Sequence, residues 1–240
     1  MPTPSPSSTA SSASPAAAAV SAKGVGRRMG GAWALRSVDL EVPVGRTCML
    51  FGANGAGKTT LIRLLGTAIR PSLGTLRLFG GPAPAARARI GMLSHADHHY
   101  DDLSAAENLR LGAMLSDPAR VAHIPAVLAE VGLGARADDA VRGFSAGMRK
   151  RLAFARLLLK DPELILLDEP YAQLDPAGHE LVDRLLRGWR GAGRTVLVST
   201  HQVARVSALC EEAVQLDRGV VAWQGPAVEA PLHLAPGGEA

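Results

Sequence analysis

The run Gly52-Ala53-Asn54-Gly55-Ala56-Gly57-Lys58-Thr59 lies between an apolar stretch, Thr47–Phe51, and a helical pattern, Lys58–Leu65. It fits GxxxxGK[ST], the Walker A pattern, in the strand-to-helix setting that pattern needs. Glycines let the backbone wrap so that successive N–H groups face phosphate oxygens, and the helix start adds positive potential. Lys58 supplies a mobile positive charge for β- and γ-phosphates, the Thr59 hydroxyl can ligate Mg²⁺, and Thr60 completes the binding run. This motif alone leaves open which nucleotide is bound and to what end.

A second element complements the cradle. Leu164–Leu167 is continuously apolar and ends on Asp168-Glu169. A buried strand there carries Asp168 to the cradle, where it can hold Mg²⁺ through water. A carboxylate at Glu169 can polarise an attacking water as general base, a contribution of typically ~10²–10⁴-fold in rate.

Phe144-Ser145-Ala146-Gly147-Met148 opens a long helical pattern, Ala146–Lys160. With these residues the chain resembles the ATP-binding cassette (ABC) ATPases, whose signature reads LSGGQ at a helix start. Ser145 and Gly147 match, Ala146 is a mild change, and Phe144 and Met148 depart from the pattern. Arg151 and Leu152–Arg156 continue the likeness toward the Asp168 strand, and the whole runs from about Lys23 to Gly225. The resemblance implies ATP as the nucleotide, with Mg²⁺. It also implies a head-to-tail dimer with the same or a homologous cassette, in which the loop around Ser145 and Gly147 caps the γ-phosphate held by the facing subunit. Leu174-Asp175 resembles the loop that touches that partner. His201, after the apolar run Thr195–Ser199, resembles the switch histidine that senses the γ-phosphate and supports Glu169.

Two positions depart from the family. The aromatic residue that usually stacks on adenine is replaced by Met29, with Trp33 nearby; Met can contact a base through its polarisable sulfur. His95 ends Ile90–His95, where a Gln usually contacts Mg²⁺ and links to the membrane subunit. A neutral imidazole there could orient water and would be pH-sensitive near neutrality. The polar run His95–Asp102 lacks a metal-site spacing and reads as a coupling loop.

The elements that must hold these residues alternate between strand and helix. Strands are expected at Val38–Val42, Thr47–Phe51, Thr75–Phe79, Ile90–Leu93, Leu164–Leu167 and Thr195–Ser199, with a closing hairpin of Val214–Leu216 and Val220–Trp223. Helices are expected at Lys58–Leu65, Ala146–Lys160, Gly178–Arg190 and Gln202–Cys210, and over Ala105–Val131 with a break near Asp117-Pro118. The fold class is α/β, and the resemblance makes it a P-loop NTPase of ABC type, a mixed sheet core with an inserted helical lobe at about 95–160. Residues 1–22, uncharged apart from the terminus and rich in Pro, Ser and Ala, read as a disordered tail, residues 23–225 as the ATPase domain and 226–240 as a flexible tail.

Composition narrows the class. Of the 240 residues 47% are apolar and 20% charged, enough for a core, and a net charge of +4 is too weak to argue for nucleic acid. No apolar run reaches the roughly 18–20 residues that cross a bilayer. Cys48 and Cys210 form neither a disulfide framework nor a metal spacing. A small single cassette resembles the nucleotide-binding subunit of a transporter, peripheral on the cytoplasmic face beneath separate transmembrane permease subunits. Within the family, His95, Leu103–Leu109 and Ala146 resemble the haem-exporter ATPases of cytochrome c biogenesis. The alternatives are a soluble ABC ATPase acting on a non-transport assembly and an exporter ATPase for a drug or lipid.

Overall fold

In the computed structural model, residues 17–94 and 98–231 are described. Along the chain lie β1 (Ala18–Met29), β2 (Ala32–Pro43), β3 (Thr47–Phe51), α1 (Lys58–Leu65), β4 (Leu73–Leu78), β5 (Gly81–Pro82) and β6 (Ile90–Leu93). Then come α2 (Ala105–Ser116), α3 (Ile124–Glu130), α4 (Ala146–Lys160), β7 (Leu164–Asp168), α5 (Pro176–Gly191), β8 (Thr195–Ser199), α6 (Val203–Ser207), β9 (Glu212–Asp217) and β10 (Val220–Pro226).

Two sheets form. The larger has strand order β10-β9-β3-β8-β7-β6, parallel except for the β9–β10 hairpin, and the smaller is antiparallel with order β2-β1-β4-β5. The central strands β3, β7 and β8 are buried at every residue, as apolar runs covered on both faces must be. Their alternation sends side chains into two cores. Cys48, Leu50, Leu164, Leu166 and Leu197 pack with α1 and the antiparallel sheet. Met49, Phe51, Ile165, Leu167 and Val198 pack with the helices on the other face. This is the mixed-sheet α/β architecture expected.

Among the described residues the helical lobe shares its core with the larger sheet. Leu109 of α2, Leu128 of α3 and Leu152 and Phe154 of α4 belong to the same apolar cluster as Phe51 and Ile165 of the sheet. The lobe starts cleanly because Ser104 and Glu107 cap α2 reciprocally: Ser104 N donates to Glu107 Oε2 at 2.8 Å and Glu107 N to Ser104 Oγ at 3.2 Å.

Some boundaries differ from expectation. Ala18–Ala22, expected in the N-terminal tail, form the start of β1, which pairs with both β2 and β4. Small residues and two glycines give this strand the composition of a linker, and pairing on both edges makes it a strand. At the other end β10 runs to Pro226 and a short 3₁₀ turn covers Ala227–Glu229, inside the expected C-terminal tail. Phe79 leaves β4 for a turn at φ 51°. The helix after His201 spans only Val203–Ser207. His95 lies outside the described residues.

Candidate functional site

The cradle lies where β3 gives way to α1. Gly52 has φ 144°, and a Cβ there would collide with the Leu216 carbonyl. Gly57 has φ 108°, and a Cβ would come 2.6 Å from Leu35 Cδ2 and 2.8 Å from the Ala34 carbonyl oxygen. Only glycine fits such positions without strain. Gly57 also caps α1, and no side chain accepts from the first turn of that helix. The positive helix start is therefore presented to an anion rather than neutralised by a cap.

Lys58 is buried within the loop, and its Nζ donates to the Gly52 carbonyl at 2.8 Å and the Ala53 carbonyl at 3.2 Å. Burial lowers its pKa below the ordinary lysine value, opposed by the negative charges of Glu169 and Asp168. Thr59 Oγ1 donates to Asp168 Oδ1 at 3.2 Å. Ser199 Oγ donates to the same oxygen at 2.7 Å. The register Asp168↔Ser199 between β7 and β8 sets that second contact.

Glu169 adopts φ 48°, a left-handed conformation uncommon for a residue with a Cβ. Its N–H donates to the Ser199 carbonyl at 3.1 Å and lies 3.2 Å from Ser199 Oγ. The turn points the carboxylate at His201. His201 N donates to Glu169 Oε2 at 3.3 Å, and His201 Nε2 lies 3.2 Å from Oε1. Oε1 is itself buried, with the His201 ring as its neighbour in the cleft.

These residues line one cleft of about 230 Å³, with Asn54, Gly55, Ala56, Gly57, Lys58, Thr59 and Thr60 on one side and Glu169 and His201 on the other. Ala34, which the sequence did not single out, closes its rim. Met29 and Trp33 are not among the lining residues: Met29 pairs with Ala32 at the tip of the β1–β2 hairpin, 43% exposed. Trp33 instead lies 5.3 Å beneath the Arg28 guanidinium. Ser145 and Gly147 are likewise not among the lining residues. Ser145 is exposed and caps α4, accepting from Met148 N at 3.2 Å. Gly147 faces the Gln173 carbonyl, 3.2 Å from where a Cβ would stand. Asp175 caps α5, accepting from Gly178 N at 2.9 Å, and pairs with Arg151 of α4 at 3.0 Å. The Gly178 N–H and Arg151 hold its pKa below the usual carboxylate value.

A hydroxyl and a carboxylate oxygen, Thr59 and Asp168, meet at the cleft. These are hard oxygen donors, which suit Mg²⁺ completed by phosphate and water. Among the described residues no three His, Cys, Asp or Glu come together as a metal cluster.

Residues 35–172, more than half of the chain, match the ABC transporter family. The chain belongs to that family. This ABC chain is 40% identical over 190 residues to the Nod factor export ATP-binding protein I of Cupriavidus metallidurans, spanning 76% of this chain and 63% of that one. It is 38% identical to the phosphonates import ATP-binding protein of Anaeromyxobacter dehalogenans, spanning 90% of this chain and 47% of the relative. It is 37% identical to the nickel import ATP-binding protein of Rhodobacter capsulatus, spanning 88% and 90%. The ABC chain thus covers less than two thirds of the length of the first two relatives. Its fold superposes on a solved ATP-binding subunit of an ABC transporter with a TM-score of 0.79 at 27% identity, over 86% of this chain and 89% of that one. The dimeric structure of a bacterial ABC transporter cassette matches at 0.78 and 25% identity, over 87% and 98%.

Proposed function

We propose that the chain is the ATP-binding and ATP-hydrolysing subunit of an ABC transporter, acting as a head-to-tail dimer beneath separate transmembrane permease subunits. The observation that carries the hydrolytic part of this reading is a single cleft lined by Lys58, Thr59, Glu169 and His201, with the Glu169 carboxylate held at His201 N and Nε2. In this reading the cradle N–H groups and Lys58 bind the β- and γ-phosphates, and Glu169 takes the proton of an attacking water. His201 orients the Glu169 carboxylate and faces the γ-phosphate. The products are ADP and phosphate. Thr59 and Asp168, with His95 beyond the described residues, would hold Mg²⁺, which when bound offsets phosphate charge. Ser145 and Gly147, exposed or half-buried away from their own cleft, are available to cap the nucleotide of a facing cassette.

Peripheral attachment to the cytoplasmic face of a membrane follows from the same reading. Among the described residues no helix is long and apolar enough to cross a bilayer. The relatives are named for Nod factor export and for phosphonate and nickel import. They support transport and do not support haem as cargo, so the haem-exporter reading rests only on His95, Leu103–Leu109 and Ala146.

The test is phosphate release by the full chain with ATP and Mg²⁺, alongside light scattering for pairing. Hydrolysis with ATP-dependent dimer formation is expected, and neither should survive in Lys58→Ala. Release of phosphate by Lys58→Ala at the rate of the unaltered chain would sink the assignment.

A further inference from the structure

We propose that Tyr171, Asp183 and Arg205 form a positioning cluster that fixes the Glu169 carboxylate against His201. It deepens the hydrolytic reading above and rests on it. The two reacting-side residues sit on different loops, Glu169 after β7 and His201 after β8. Each loop continues into one member of the cluster: Tyr171 is two residues beyond Glu169, and Arg205 four beyond His201. Both converge on Asp183 of α5. The Tyr171 hydroxyl donates to Asp183 Oδ1 at 2.7 Å. Arg205 donates to the same carboxylate through Nε at 3.0 Å and Nη2 at 2.8 Å, the two-pronged geometry that fixes direction as well as distance. The Arg205 guanidinium also stands 5.5 Å from the Tyr171 ring centroid.

A second contact ties Tyr171 to α5. His179 packs its ring edge-on to Tyr171, with centroids 5.4 Å apart at 88°, and its Nε2 lies 3.1 Å from the Tyr171 carbonyl. Tyr171 is 3% exposed, so its hydroxyl relies on protein partners, with Asp183 Oδ1 nearest at 2.7 Å. Glu169 needs such support because its φ of 48° is a strained conformation. Strain of that kind persists only where the surroundings hold it. The polar groups also keep their protonation. Burial and the Asp183 bond push the Tyr171 hydroxyl far above its ordinary pKa. Burial would raise Asp183, but the bonds from Arg205 and Tyr171 outweigh it and the carboxyl stays below its usual value.

The experiment is steady-state hydrolysis by the full chain carrying Asp183→Asn, Tyr171→Phe or Arg205→Lys. We expect kcat to fall about tenfold in the first two, with KM for ATP unchanged within about twofold and partial activity in Arg205→Lys, as loss of orientation predicts. In single-turnover measurements on a Glu169→Gln background, the same changes should add no further loss, because they act through Glu169. Tyr171→Phe keeps the ring packed on His179, so it carries the test if Asp183→Asn melts. An unchanged kcat, a KM rising in step with the kcat loss, or full additivity with Glu169→Gln overturns the cluster's role. A chain that shows no hydrolysis at all overturns the functional reading itself, and the cluster's role with it.

Discussion

Arg151 joins two structures that the sequence leaves far apart: its guanidinium bonds Asp175 Oδ1 at 3.0 Å and the Val131 carbonyl at 3.2 Å. The lobe, the helix behind Ser145 and the loop ahead of α5 are thereby fastened by a single side chain. Asp175 gains from this in a pH-dependent way. Its folded pKa is lowered by the Gly178 N–H and by Arg151. The stability it contributes is complete above the unfolded carboxylate pKa, about 3.9, and fades as pH falls through the lower folded value. Asp175→Asn should lower the thermal midpoint at neutral pH, and the gap to the unaltered chain should close below about pH 4. A gap that stays constant with pH would assign the effect to something other than this charge.

Lys58 has the opposite sign. Burial lowers its pKa in the free chain, whereas phosphate oxygens beside it favour the ammonium form. Binding of ATP should therefore take up protons at alkaline pH, and affinity should weaken as pH rises through the lowered lysine value. Calorimetry in buffers of different ionisation enthalpy reads the proton uptake directly, and an uptake that does not grow as pH rises into the alkaline range would take Lys58 out of the effect.

Glu169→Gln should keep ATP affinity within a few-fold while steady turnover drops by about 10²–10⁴-fold, the usual contribution of a general base. The amide removes the charge and leaves the contact with His201 N available. Turnover that persists near the original rate would take Glu169 out of the base role.

Ser104→Ala removes one half of the reciprocal cap on α2. A lost cap costs about 1 kcal/mol, or roughly 2–4 °C in midpoint for a chain of this size. ATP turnover should stay within about twofold, since α2 lies away from the cleft.

Much of the site was legible because its motifs are local. The cradle, the Asp168 strand and the helix behind Ser145 are each written in one unbroken stretch, and β3, α1, β6, α4 and β8 fall within the bounds that apolar period and glycine punctuation suggest. What escaped depends on strand order. Ser199 becomes a partner of Asp168 only because β8 lies beside β7, and Ala34 reaches the cleft only because β2 passes over the cradle. Tyr171, Asp183 and Arg205 span 35 residues of chain with no pattern among them. β1 hid for another reason. Its glycines and small residues lower strand propensity, and partners on both edges override that preference.

The shared apolar cluster beneath α2, α3 and α4 bears on how those helices can move. Phe154 and Leu152 share one apolar cluster with Phe51 and Ile165 of the sheet, so packed side chains couple the helical layer to the strands beneath it. Displacing these helices against the sheet means moving packed side chains past one another, and a bulkier side chain at Leu152 or Phe154 would resist that motion.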